Sequence, residues 1–202
     1  SLIDECAKFD SRNQHLRIHR YIMPDLDFLP YQPNPEFFAL EKNRIESCFP
    51  GVVEQFSPEL IISGRDSIAP IAIPLALKFG LPCVQLLRGS PSSQIIDGTY
   101  PVELAQEFLQ HLQGADKVIA VSEHMARGMR TLGVSQAFCI PNGVDTDLFR
   151  PLQVDTLKRQ SLNIPNSGPI ILSPSNILPR KRPFDLLRAA EIAVSKNPDL
   201  QF

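Results

Sequence analysis

Much of the chemistry that a sequence can announce is missing from these 202 residues. The four cysteines, Cys6, Cys48, Cys83 and Cys139, are scattered and form no C-x-x-C pair. Disulfide frameworks and zinc sites have recognisable spacings, so these read as free thiols in a reducing compartment. His15 and His19 would share one face of a strand, but two ligands without a third do not make a metal site. G-x-S-x-G, H-E-x-x-H and G-x-x-x-x-G-K-[ST] do not occur, and neither does the G-x-G-x-x-G of dehydrogenase-type dinucleotide folds. Charge of one sign is not in excess: Lys+Arg 20 against Asp+Glu 22 gives −2, with a pI near 6.1. A broad nucleic-acid-binding surface would need a basic field that this balance does not supply. The longest apolar run, Ile68 to Leu77, carries two prolines and falls short of the ~20 residues that a membrane span requires. With no signal peptide at its start, the chain is expected to be cytoplasmic, with peripheral membrane contact left open.

What is present is an ordinary globular composition, 43% hydrophobic and 21% charged, organised as alternating strands and helices. Residues 15–22 alternate like a strand. From Glu36 to Phe49 the spacing is helical, with Phe38, Ile45 and Phe49 on one stripe, and Pro50-Gly51 is expected to interrupt it. Continuous apolar runs at 58–64 and 81–89 read as strands buried on both faces. They flank a helix from Ile68 to Phe79 that ends at Gly80. A loop of Ser, Pro and Gly leads to a helix over 101–112, with Leu104, Phe108 and Leu112 aligned. A strand over 115–123, a helix over 123–132 stopped by Gly133, and a strand over 136–140 complete the series. Alternation of this kind predicts a parallel sheet covered by helices on both faces. Ligands of such sheets sit at the carboxyl ends of the strands, which singles out the loops at Gly64-Arg65-Asp66, at Arg88-Gly89-Ser90, at Ser122-Glu123 and at Asn142-Gly143.

Beyond Pro151 the texture changes. A polar stretch is followed by an expected strand over 168–176 and a helix over 182–196, with Phe184, Leu187, Ala190 and Val194 near 3.6 spacing. Asp199 to Phe202 resembles the start of another strand. The expected organisation is therefore a partial first domain over 1–150 and the opening of a second over 151–202. The cluster Arg180-Lys181-Arg182 precedes the last helix. A cation is disfavoured at a helix N-terminus, and a bound anion would relieve the conflict.

The segment ADKVIAVSEHMARGMRTLGVSQAFCIPNGVDTDLFRP, residues 115–151, closely resembles the retaining GT-B glycosyltransferases of family 4. ILSPSNILPRKRPFDLLRAA resembles the opening of that family's donor-binding domain, and PELIISGRDSIAPIAIPLALKFGLPCVQLLRG resembles the preceding strands more loosely. The resemblance implies two Rossmann-like domains, a nucleotide-sugar donor with no further cofactor, and a glycan, lipid or small-molecule acceptor. It implies that the Asn142-Gly143 turn, ordered by Asp145 and Asp147 and anchored by Phe149, brings backbone N–H groups to the donor. Lys181 matches the family lysine that neutralises the donor diphosphate. The family's glycine and arginine fall on Ser175 and Asn176, so Arg180 or Arg182 would have to compensate. Arg88 stands where many members have the histidine of a His-Gly pair, with Gly89 matching. Ser122 caps a helix that Glu123 begins, and both lie on the acceptor side with Arg65. The catalytic carboxylate pair would lie beyond Phe202, so the chain is expected to be a fragment that is inactive alone. A nucleotide-sugar epimerase of similar architecture and a non-catalytic flavodoxin-like binding module are the alternatives.

Overall fold

A computed structural model describes residue 11 and residues 35–153, 155–165 and 168–202. The strand expected over 15–22, with His15 and His19, and Cys6 lie outside the described residues. The chain divides into two compact units, Ser1–Gly143 and Val144–Phe202.

In the first unit, helix α1 (Pro35–Phe56) precedes strand β1 (Ile61–Ser63), a 3-10 turn (Asp66–Ile68) and helix α2 (Ala69–Lys78). Strand β2 (Cys83–Leu87), a short helix α3 (Ser92–Ile96) and helix α4 (Val102–Gln113) follow. Strand β3 (Lys117–Ala120), helix α5 (Glu123–Thr131) and strand β4 (Ala137–Cys139) complete it. The four strands lie in the order β1-β2-β3-β4, every neighbouring pair parallel.

Among the described residues, that order places the crossover helices on one face rather than on both faces as expected. Each described crossover steps in the same direction across the sheet, and right-handed crossovers taken in one direction place their helices on one face. Burial agrees with this. The row Ser63–Gln85–Val118–Ala137 is buried throughout, whereas on the other face Ile62 is 62% and Phe138 48% exposed. Strand β1, at the edge of the sheet among the described residues, is thus not buried on both sides as its apolar run suggested. The core fills the helix side with Ala69, Ile73, Leu87, Phe108, Leu112, Val118, Met129 and Val134. Full burial of a side chain such as Leu112 contributes roughly 1.5–3 kcal/mol.

Two further expectations shift. Helix α1 runs through Pro50 without a break, its stripe of Phe38, Glu41, Ile45 and Phe49 turned inward and Phe49 packed edge-on against Phe79. The Ser/Pro/Gly loop after β2 contains α3, which sequence patterning missed because five residues are too few to show a period. The glycine stops behave as expected: Gly80 has φ +64° and Gly133 φ +92°.

The second unit has helices α6 (Thr156–Ser161) and α7 (Pro183–Lys196) and a 3-10 turn at Pro179–Lys181. The strands expected over 168–176 and 199–202 reduce to one parallel bridge, Ile170 to Gln201. A strand needs a neighbour for its N–H and C=O groups, and here each partner meets only the other. On α7 the half-buried stripe is Leu186, Ala190 and Ala193, whereas Phe184 and Leu187 are 74% and 63% exposed. The packed face is therefore rotated from the expected one. Phe149 is 69% exposed, so it does not anchor the linker as expected.

Candidate functional site

The first unit gathers its chemistry at the carboxyl ends of β2, β3 and β4. The anchor is Asp66, 2% exposed, at the start of the 3-10 turn after β1. Its Oδ1 accepts the Arg88 N–H at 2.6 Å, and its Oδ2 accepts from the Ser92 hydroxyl at 2.6 Å and from the Gly89 N–H at 3.4 Å. A buried carboxylate is tolerable only when hydrogen bonds replace its lost hydration, and three donors do so here. One side chain thereby joins the end of β1, the end of β2 and the first turn of α3. Sequence reasoning marked the Arg65-Asp66 edge but gave the site role to Arg65 rather than to Asp66. An acid directly after a buried strand was the available signal.

Arg88 and the Asn142-Gly143 segment meet in one hollow of about 370 Å³. Its floor is Leu86 and Ile119, adjacent in register, with Val121, Ile140 and Pro141 around the rim. Positions 86 and 88 share a strand face, as do 119 and 121, so strand alternation alone points these side chains the same way. The lining has no carboxylate. Neither Asn142 nor Gly143 takes positive φ, which corrects the expected tight turn, and a Cβ on Gly143 would meet nothing within 4 Å. Gly89 lies beneath this edge, half-buried against Asp66.

The other acceptor-side candidates do not line this hollow. Arg65 pairs with the buried Glu41 of α1. Ser122 caps α5, accepting from the Met125 N–H at 3.2 Å. Glu123 pairs with Arg130 at 2.7 Å and Arg127 at 3.8 Å, which occupies its charge within its own helix. After the hollow, Asp145 orders the chain, its Oδ1 accepting from the N–H groups of Asp147 and Leu148 at 3.0 and 2.9 Å. Asp147 takes part through its backbone.

In the second unit, Lys181 closes the 3-10 turn, its N–H donating to Leu178 O at 2.9 Å, and its side chain is exposed. Asn176 is exposed and its carbonyl accepts from the Leu178 N–H. The side chain of Arg180 lies outside what is described. Arg182, in the left-handed region at φ 51°, precedes α7 and forms an ion pair with Asp185 of the first turn. The cation conflict expected at this helix start is thus offset by the chain's own carboxylate rather than requiring a bound anion. Arg182, Phe184 and Asp185 border a hollow of about 350 Å³ that Lys181 does not line. Among the described residues, no group of three or more His, Cys, Asp or Glu is placed to hold a metal.

A parallel α/β sheet with a ligand-sized hollow at its carboxyl edge defines a Rossmann-like binding domain. A family model described as Glycosyltransferase Family 4 matches residues 14–148, more than half of the chain, and the chain belongs to that family. It carries a glycosyltransferase domain and is of transferase type. No curated protein matches the chain. No helix among the described residues is long and apolar enough to cross a membrane.

Proposed function

We propose that this chain serves a retaining glycosyltransferase that moves a sugar from a nucleotide-sugar donor to an acceptor hydroxyl. The observation that carries the reading is the hollow lined by Arg88, Asn142 and Gly143 in a Glycosyltransferase Family 4 domain. The acceptor occupies the Arg88 side of that hollow, and the Asn142-Gly143 backbone approaches the donor. Lys181 contributes positive charge to the departing diphosphate, where charge grows as the glycosidic bond breaks. Asn176 cannot supply the charge of the family's arginine. Arg182 is committed to Asp185, which leaves Arg180 and Lys181 as the cations for the phosphates. The donor is already activated by its diphosphate, so no further cofactor is required. The described cysteines are unpaired, in keeping with a cytoplasmic setting.

The test uses the full-length protein with a panel of nucleotide-sugars. Calorimetry should show donor binding that Lys181→Ala weakens about tenfold or more, the scale of one charge-assisted contact. Unchanged affinity would remove Lys181 from the phosphate site. Product NMR should show the donor's anomeric configuration preserved in the glycoside. Interconversion of the donor sugar without any acceptor would identify an epimerase instead.

A further inference from the structure

We infer that the hollow at the end of β2 takes an acceptor bearing an anionic group beside an apolar face, with Arg88 holding the anion and Asp66 positioning Arg88. The acceptor part of this inference rests on the glycosyltransferase reading above; the anion chemistry rests on the geometry.

Three observations converge. The first is the disposition of the cations. Arg65 is paired with Glu41, Arg182 with Asp185, and Arg127 and Arg130 with Glu123. Arg88 has no carboxylate partner among the described residues, although it stands in a concave site. The second is the lining: Leu86, Ile119, Val121 and Ile140 are apolar, and no acid lines the hollow. A guanidinium over apolar walls is less screened than one on open surface and presents paired donors to phosphate or carboxylate. The third is the way Arg88 is held. Its N–H is fixed at 2.6 Å to a carboxylate that is itself 2% exposed and bound by two further donors. That carboxylate is occupied by backbone and hydroxyl donors, so it sets the backbone of Arg88 without taking up the guanidinium. A pre-placed cation loses less freedom when an anion binds than a mobile one would.

Asp66→Asn is an informative perturbation. The amide oxygen can still accept from Arg88, but its NH2 then faces the Gly89 N–H, donor against donor. The end of β2 shifts while the buried volume hardly changes.

The experiment is an NMR titration of the full-length protein with phenyl phosphate, benzoate and phenol. These share an apolar ring and differ in charge. The charged probes should bind at least about tenfold more tightly than phenol, and Arg88→Ala should erase that advantage. Preference for phenyl phosphate assigns a phosphate-bearing acceptor, and parity with benzoate a carboxylate; either supports the inference. Phenol binding as well as the anions overturns it, as does an anion preference that survives Arg88→Ala. Asp66→Asn should weaken phenyl phosphate about three- to tenfold in the wild-type background and cause no further loss in Arg88→Ala. Equal losses in both backgrounds would show that Asp66 merely supports the fold. Should Asp66→Asn not fold, Ser92→Ala removes one donor from the same carboxylate. It should act in the same direction, about two- to threefold, and only when Arg88 is present. Nucleotide-sugar affinity should be unchanged by Arg88→Ala; a loss would assign this arginine to the donor and overturn the acceptor role. A protein that consumes nucleotide-sugar yet shows no anion preference refutes this inference alone. One that binds anions at Arg88 but transfers no sugar refutes the transferase reading and leaves the anion site standing.

Discussion

Gly128 lies inside α5, where alanine would ordinarily be preferred by about 1 kcal/mol. Here the space decides otherwise. A Cβ at this position would come within 2.8 Å of both Cδ1 and Cγ1 of Ile96 and within 3.0 Å of its Cγ2. Ile96 closes α3 and packs against the core, and its branched side chain leaves few rotamers for escape. Overpacking of this sort costs about 1–3 kcal/mol, so Gly128→Ala should be destabilising by about 0–2 kcal/mol net. In a domain of this size that is a fall in Tm of up to several degrees. Ile96→Ala removes all three contacted carbons. In that background Gly128→Ala should change sign and stabilise by up to about 1 kcal/mol, because only the helix preference remains. Urea unfolding of the two single variants and the double variant measures the coupling. The reasoning is refuted if Gly128→Ala stabilises the protein with Ile96 intact, or if the two substitutions are additive. The packing also bears on function, since α3 begins at Ser92, a ligand of the Asp66 carboxylate.

Burial and then the Asp116 carboxylate raise the Cys83 thiol from 9.0 to about 11. The folded state therefore keeps its proton where the unfolded state would lose it, so this thiol's contribution is intact below pH 9 and declines as pH rises toward 11. Thiol titration at pH 8 should modify exposed Cys48 promptly and Cys83 only on unfolding; rapid native labelling of Cys83 would contradict its burial. Arg65→Ala leaves Glu41 buried without its cation. Because Arg65 is 51% exposed, the loss should be about 1–2 kcal/mol, less than for a fully buried pair, and Glu41→Gln in the same chain should recover most of it in urea unfolding. Ser122→Ala removes the cap of α5 and should cost about 1 kcal/mol in the same assay, whereas Ser122→Asp should retain it.

Strand β2 was legible because four of its five residues are apolar and turn residues bound it at Arg88-Gly89. Its alternation, with Cys83, Gln85 and Leu87 buried and Val84 and Leu86 half-buried, was not visible, since apolar residues stand at both parities and the polar one falls on the buried face. Gln85 illustrates the limit. Its polarity suggested nothing, yet it is fully buried, its Nε2 reaching Leu86 O at 2.8 Å and Arg65 O at 3.2 Å. Pro50 misled in the opposite direction, because local preference says nothing of the packing of Phe49 on Phe79 that carries α1 onward. At Arg182 the reading of the charge at the helix start stopped short of Asp185, which lies one turn further on and pairs with it.

The sequence by itself determined the order and kind of the elements from β1 to β4 apart from α3, the caps at Ser122, Gly80 and Gly133, and the family, because these depend on neighbours within a few residues or on a long, specific motif. Tertiary structure alone decided that the crossovers step one way across the sheet, that Asp66 holds the loop of Arg88, and that Arg88 and Asn142 border one hollow. Those facts depend on strand pairing between residues tens of positions apart, and pairing register is set by the packing of the whole sheet rather than by any segment of it.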